Sequence, residues 1–296
     1  MRTERGDARQ APRRCGANRS AGETGVCATG RLARVASFGP HFGEEDPLVG
    51  RHGSGTVFFA GCNLNCSFCQ NADTSQGPGA GREVTAGRLA RIFTALREAG
   101  CHNLNLVTPT HVLPQVLEAL AAARLEGFAI VWNCGGYESL DALALLDGVV
   151  DIYMPDLKFA DSAPAAEFCR APDYPETARA AVTEMHRQVG DLEIDDRGIA
   201  VRGLLVRHLV MPNGLAGTDA SMRFLASLSP RTYVNVMGQY RPEHIAAAHP
   251  TIGRRPRRDE IERARGAARA AGLQRLDGEE PFARRVLRRD PGPAGD

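Results

Sequence analysis

Lysine is almost missing from this 296-residue chain: of 36 basic residues only Lys158 is a lysine, and the rest are arginine. Surface ion pairs accept either residue, so a lone lysine marks a place where a compact ammonium on a flexible stem is wanted. Net charge is missing too. The 36 basic and 35 acidic residues leave +1, which excludes the strong positive field of a nucleic-acid binder or of a protein held to an anionic membrane. No apolar run approaches the ~18 residues of a membrane span, and the first twenty residues alternate Arg, Gly and Ala with no apolar signal core. Arg13-Arg14 is followed by Cys15-Gly16 rather than an apolar stretch, which argues against twin-arginine export. These absences predict a cytoplasmic protein with no nucleic-acid and no membrane partner.

Eight cysteines in such a chain read as metal ligands and core thiols rather than disulfides. Three of them, Cys62, Cys66 and Cys69, fall in the run Gly61-Cys62-Asn63-Leu64-Asn65-Cys66-Ser67-Phe68-Cys69-Gln70-Asn71, at C-x3-C-x2-C spacing. Three thiolates on a [4Fe-4S] cube leave one iron open to a substrate or cofactor, whereas electron-transfer sites usually fill all four. The alternative is structural zinc, which needs a fourth ligand. His41 and His52 lack zinc-finger spacing, and no second C-x2-C pair follows at zinc-ribbon distance. Cys101, Cys134 and Cys169 stand alone and read as core thiols, with Cys134 nearest the expected site.

Along the chain, short apolar runs alternate with helical patterns. Strands are predicted at 56–60, 103–107, 129–132, 150–153, 203–206 and 233–237, and helices at 85–99, 113–123, 139–146, 174–189, 221–227 and 259–271. Six strands with intervening helices make an α/β domain around a parallel sheet. Residues 1–50 read as an irregular N-terminal arm, 51–276 as the barrel-type domain and 277–296 as a flexible tail. Each strand end carries a polar or glycine-rich cluster: the cysteine loop, Thr108-Pro109-Thr110-His111, Asn133-Cys134-Gly135-Gly136, Asp156-Leu157-Lys158, Arg207-His208 and Gly238-Gln239-Tyr240-Arg241. That is where barrels of this kind place their active sites.

With these motifs the chain resembles the radical S-adenosylmethionine (SAM) enzymes. From about Arg34 to Leu276 it is similar to the PflX-type group, relatives of pyruvate formate-lyase activating enzyme. The likeness is carried by the cysteine loop and by the stretches Val35 to Glu45, Asn105 to His111, Tyr153 to Lys158 and Gly203 to Val210. The resemblance implies a partial (βα)6 barrel in which Cys62, Cys66 and Cys69 hold a [4Fe-4S] cluster. The amino and carboxylate groups of SAM would chelate the fourth iron. Reductive cleavage would then give a 5′-deoxyadenosyl radical that abstracts hydrogen. It places Phe68 near the adenine, Asn133 and Gly135 along SAM, Asp156 and Lys158 beside it as the catalytic pair, Arg207 on its carboxylate, and Gln239 at the last strand end. Thr108-Pro109-Thr110 stands where many such enzymes have Gly-Gly-Glu for the amino group, so Thr108 and Thr110 are the candidates there. Trp132 replaces an acidic residue of the activating enzymes. An N-terminal C-x2-C-P-R-x-C-G motif is reduced to Cys15, with Cys27 beyond it and Ala8 and Ala11 at the first two cysteine places. The implied function is activation of a glycyl-radical enzyme, with a flavodoxin- or ferredoxin-type reductant. The alternatives are a radical SAM enzyme acting on another peptide or small molecule, and a non-catalytic iron-sulfur or zinc protein.

Overall fold

In the computed structural model, residues 16–77 and 79–279 are described, so Cys15, Ala8, Ala11 and most of the expected tail lie outside them. The strands are β1 (Ala33–His41), β2 (Ser54–Phe59), β3 (Arg82–Val84), β4 (Asn103–Val107), β5 (Ala129–Cys134), β6 (Ile152–Pro155), β7 (Glu193–Ile194), β8 (Ala200–Leu209), β9 (Tyr233–Met237) and β10 (Arg275–Leu276). The helices are α1 (Asp46–Val49), α2 (Ala72–Ser75), α3 (Ala86–Glu98), α4 (Leu113–Ala122), α5 (Leu140–Ala144), α6 (Ser162–Cys169), α7 (Tyr174–Val189), α8 (Thr218–Leu228) and α9 (Arg258–Ala270).

All six expected strands form, and they lie side by side in chain order, β2-β4-β5-β6-β8-β9, every neighbouring pair parallel. The two ends of the sheet carry β1-β3 and β10, so among the described residues the wall is an open, partial barrel with helices outside.

Both faces of this sheet are buried, which is why its strands read as continuous apolar runs. The two faces nevertheless serve different partners. Leu104, Leu106, Trp132, Tyr153, Leu204, Val206 and Val234 pack outward with the helices, against Phe93 of α3, Val116 of α4 and Ala178 of α7. The alternate residues Val131, Ile152, Met154, Leu205 and Tyr233 turn inward around Leu48. Moving two residues further along each strand keeps the inward direction and reaches Asn133, Asp156, Arg207 and Asn235. The lumen is thus apolar at its base and polar toward the strand C-termini.

The segment expected to be irregular contains a strand. β1 runs antiparallel to β2, pairing His41 with Ser54 and Pro40 with Gly55, and covers that edge of the sheet. Gly39-Pro40 reads as a break in sequence, but proline is tolerated where one edge of a strand is unpaired, and β3 pairs only Ala33, Arg34 and Val35 of β1. Beyond β1 the chain enters the barrel. Leu48 on α1 is fully buried among inward-facing strand residues, and its carbonyl accepts from Asn103 Nδ2 at 2.8 Å. Leu48→Ala should cost about 2–5 kcal/mol through lost burial and the cavity it leaves, read as a lowered urea midpoint at unchanged slope. A loss below about 1 kcal/mol would mean that α1 is not part of the barrel core.

Candidate active site

The cysteine loop leaves the C-terminal end of β2 through Gly61, whose φ of +88° suits glycine. A Cβ there would come within 2.4 Å of the Cys27 carbonyl and 3.1 Å of His111 Nε2, so only glycine lets the chain pass. The loop is fixed from several sides. Asn63 Nδ2 donates to the Tyr137 carbonyl at 2.7 Å, Gln76 Nε2 to the Cys66 carbonyl at 3.0 Å, and the Ser67 amide to the Phe168 carbonyl at 2.8 Å. The N-terminal arm closes over its start: Cys27 is buried, Arg19 Nη2 donates to its sulfur at 3.3 Å, and Arg19 Nη1 donates to the His111 carbonyl at 2.5 Å.

Each thiol has its own neighbour. The Leu64 amide donates to Cys62 Sγ at 3.4 Å, Cys69 Sγ lies 3.2 Å from Ser75 Oγ, and Cys66 Sγ lies 3.3 Å from Cys169 Sγ. Burial pushes the Cys62 thiol up to about 12, and Cys66 is raised first by its contact with Cys169 and then by burial. Thiols so disfavoured as bare anions need a cation to become ligands. Among the described residues no three His, Cys, Asp or Glu side chains converge on one point as a single metal ion requires; around zinc, sulfurs 2.3 Å from the ion lie about 3.8 Å apart. A cube spreads its ligands over separate irons. Cys169 adds no fourth corner, since it shares that of Cys66, and a cavity of about 190 Å³ lies beside Cys62, lined also by Cys27, Gly61, Leu64 and Gln76. Three loop thiols match the donor set of a cluster with one open iron, whereas tetrahedral zinc would need a fourth ligand and the thiol at hand, Cys169, lies against Cys66.

Facing the loop are the other strand ends. Asp156 and Lys158 do point the same way: Lys158 Nζ donates to Asp156 Oδ2 at 2.6 Å, and Arg207 Nε donates to Oδ1 at 2.8 Å. Arg207 Nη2 reaches Asn133 Oδ1 at 2.7 Å. Four of the predicted residues therefore form one partly buried chain, Lys158-Asp156-Arg207-Asn133. Burial alone would raise the Asp156 carboxyl, but Arg207 and then Lys158 hold it below its ordinary value. Lys158 pays in desolvation and is still held well above its usual range by Asp156. Its ammonium also favours the thiolates of Cys62 and Cys66. Gly135 lies between loop and lysine: a Cβ there would meet Leu64 Cδ1 at 3.0 Å and Lys158 Cε at 3.7 Å. The buried Tyr174 hydroxyl knits these ends together, accepting from the Lys158 amide at 2.9 Å and sharing its proton between the Gly135 and Asp156 carbonyls.

Thr108 begins the turn after β4 at φ +58°, with its amide on the Asn133 carbonyl, and Thr110 Oγ1 donates to Glu138 Oε1. Phe68 and Gln239 stand apart from the network. Phe68 is buried against Phe159 and Tyr240, with ring centroids 5.9 and 6.1 Å away, and Gln239 is exposed beyond β9. His208 is a core histidine: its ring nitrogens meet the Leu157 carbonyl and Thr218 Oγ1, and burial lowers it to about 4.

Sequence reading missed four contributors. Glu44, on the segment entering the barrel, lies 3.6 Å from Arg207 Nη1 and is raised by burial. Its neighbour Glu45 accepts from Asn235 Nδ2 at 2.9 Å. The adjacent acids Glu44-Glu45 were the only available signal. Glu138 is buried behind Thr110, and Cys169, rather than Cys134, is the isolated thiol that touches the loop.

A family model described as the radical SAM superfamily matches residues 56–190. The uncharacterized protein MJ0674 of Methanocaldococcus jannaschii is 34% identical over 260 residues, covering 85% of this chain and 71% of that protein. The 7-carboxy-7-deazaguanine synthase of Methanothermobacter thermautotrophicus is 44% identical over 62 residues, 21% of this chain and 24% of that enzyme. Two structures of the [FeFe]-hydrogenase maturase HydG, one from Carboxydothermus hydrogenoformans, share the fold at TM-scores of 0.50 and 0.52 with 14% and 15% identity. Each alignment covers 77% of this chain, which spans about half of the maturase (52% and 54%). No helix among the described residues is long and apolar enough to cross a membrane. With the cysteine loop on the first parallel strand of an open barrel, these matches establish that the chain belongs to the radical SAM superfamily, enzymes that use a [4Fe-4S] cluster and S-adenosylmethionine.

Proposed function

We propose that the protein binds SAM at the C-terminal face of the barrel and uses it to abstract hydrogen from a substrate held there. Cys62, Cys66 and Cys69 act as the cluster ligands. The observation that carries this reading is the juxtaposition of a three-thiol loop with the partly buried chain Lys158-Asp156-Arg207-Asn133. When bound, the reduced cluster and SAM supply a 5′-deoxyadenosyl radical. The protein's part is to hold and orient. Arg207 presents a planar fork suited to a carboxylate, Asp156 fixes the orientation of both cations, and Lys158 keeps positive charge beside the thiolates. The N-terminal arm over the loop keeps water out. A flavodoxin- or ferredoxin-type protein is the reductant this chemistry calls for. Anaerobically reconstituted protein with dithionite should convert SAM to 5′-deoxyadenosine. A full complement of iron and sulfide with no cleavage would favour a non-catalytic iron-sulfur protein.

For the hydrogen donor, likeness to formate-lyase activators supports a glycine on a partner enzyme. A second reading is favoured by Glu44 and Glu45, two carboxylates buried in the lumen, which suit a small amine-bearing molecule better than a glycine backbone. The local likeness to 7-carboxy-7-deazaguanine synthase also supports a small-molecule substrate. Deuterium carried into 5′-deoxyadenosine from a labelled glycyl peptide or from a labelled small amine decides between them.

A further inference from the structure

Glu138 is 1% exposed, and no cationic side chain is among the groups acting on it. Its Oε1 accepts the Thr110 hydroxyl proton; the Cys134 thiol and the Trp132 indole are the other polar groups acting on the carboxylate, and neither Oε2 nor the indole nitrogen makes a well-formed hydrogen bond. Burial pushes the carboxyl up to about 7. A buried carboxylate without a counter-charge is costly, and the nearby cations are committed elsewhere, Lys158 and Arg207 to Asp156.

The location of Glu138 narrows what could compensate it. Thr110 opens a short turn at the end of β4, and the next residue, His111, reaches the Ala60 carbonyl at the start of the cysteine loop at 2.8 Å. Tyr137, next to Glu138, receives Asn63 of that loop on its carbonyl. The residues next to Thr110 and Glu138 are therefore both tied to the loop or its start, from two different strand ends. With its proton given to Glu138, the Thr110 oxygen is left as an acceptor, and the carboxylate behind it strengthens that acceptor through the shared hydrogen bond.

Resting on the reading of the site proposed above, we infer that Glu138 is a positioning residue for SAM, acting through Thr110 to hold the N–H groups of its amino end. Glu138 thus supplies from the β5 side the negative charge that Thr108-Pro109-Thr110 lacks at the end of β4.

The test uses the full chain, reconstituted anaerobically, and measures SAM affinity by calorimetry beside KM and kcat for 5′-deoxyadenosine formation. Glu138→Gln should weaken SAM binding by about tenfold to a hundredfold, the range of one charge-assisted hydrogen bond. KM should rise more than kcat falls, at unchanged iron and sulfide content. Thr110→Val, which leaves Glu138 in place, should give a similar loss, Thr110→Ser should restore wild-type affinity, and the Thr110→Val/Glu138→Gln pair should bind no more weakly than the worse single variant. That set stands even if Glu138→Gln folds poorly. Wild-type affinity in both Glu138→Gln and Thr110→Val, with SAM still cleaved, would overturn the role of Glu138 alone. A wild-type protein that neither binds nor cleaves SAM would instead overturn the functional reading.

Discussion

Cys66→Ala should yield protein that cannot retain a [4Fe-4S] cluster. Iron and labile sulfide should fall far below the wild-type ratio, and SAM cleavage to background. The expectation is sharp because three thiolates are already the minimum: removing one leaves two irons without protein ligands. Cys66 is also the most enclosed of the three, so water or buffer thiols cannot readily replace it. Among the described residues the thiol in contact with it is Cys169, 3.3 Å away. Any residual cluster in Cys66→Ala should therefore vanish in Cys66→Ala/Cys169→Ala, whereas Cys169→Ala alone should keep its full iron content. A wild-type yield of iron-sulfur absorbance in Cys66→Ala would contradict the assignment.

The second large effect is expected at Asp156. Its carboxylate lies between Lys158 at 2.6 Å and Arg207 at 2.8 Å, with all three side chains less than one-fifth exposed. Asp156→Asn leaves two partly buried cations facing a neutral amide; breaking a fully buried pair costs about 3–5 kcal/mol, and with each side chain still 16–19% exposed the loss should be about 2–3 kcal/mol. SAM cleavage should collapse with it, because Lys158 and Arg207 lose the group that orients them. The pH dependence follows from the direction of the shift. A carboxyl held below its ordinary value binds its proton more weakly folded than unfolded, so its stabilisation is complete above about pH 4, the unfolded value, and fades as pH falls through the folded one. Wild type should thus lose stability on acidification through this group, and Asp156→Asn should lack that part of the acid limb. Denaturant unfolding at neutral and acid pH checks both statements. A change under 1 kcal/mol at neutral pH would mean that the two cations find other partners.

Much of this arrangement was legible in the sequence because the relevant groups are local. The cysteine loop is one run of residues, Asp156 and Lys158 are two apart on an extended segment, and each polar cluster follows directly on an apolar strand. The lone lysine lies partly buried in an ion pair with Asp156, close enough to act on Cys62 and Cys66 of the cysteine loop. What sequence could not give is contact made through threading. Glu44 meets Arg207, and Glu45 meets Asn235, only because the chain after β1 re-enters the barrel. Cys169 reaches Cys66 only because α6 packs its C-terminal end on the loop. β1 was hidden by Gly39-Pro40 and by an alternation too weak to suggest an edge strand. Phe68, an aromatic inside a functional motif, turns its ring toward Phe159 and Tyr240, a contact that motif position alone does not reveal.

The central claim is that three thiols hold a cluster whose fourth iron is left for SAM. It is tested most directly by electron paramagnetic resonance of the dithionite-reduced, reconstituted protein before and after SAM is added, with the nitrogen of SAM's amino group as ¹⁵N. The account predicts a [4Fe-4S]⁺ signal whose g-values move on addition of SAM and which acquires a hyperfine coupling to the labelled nitrogen. A full-strength cluster signal that SAM leaves unchanged, with no coupling, would contradict it.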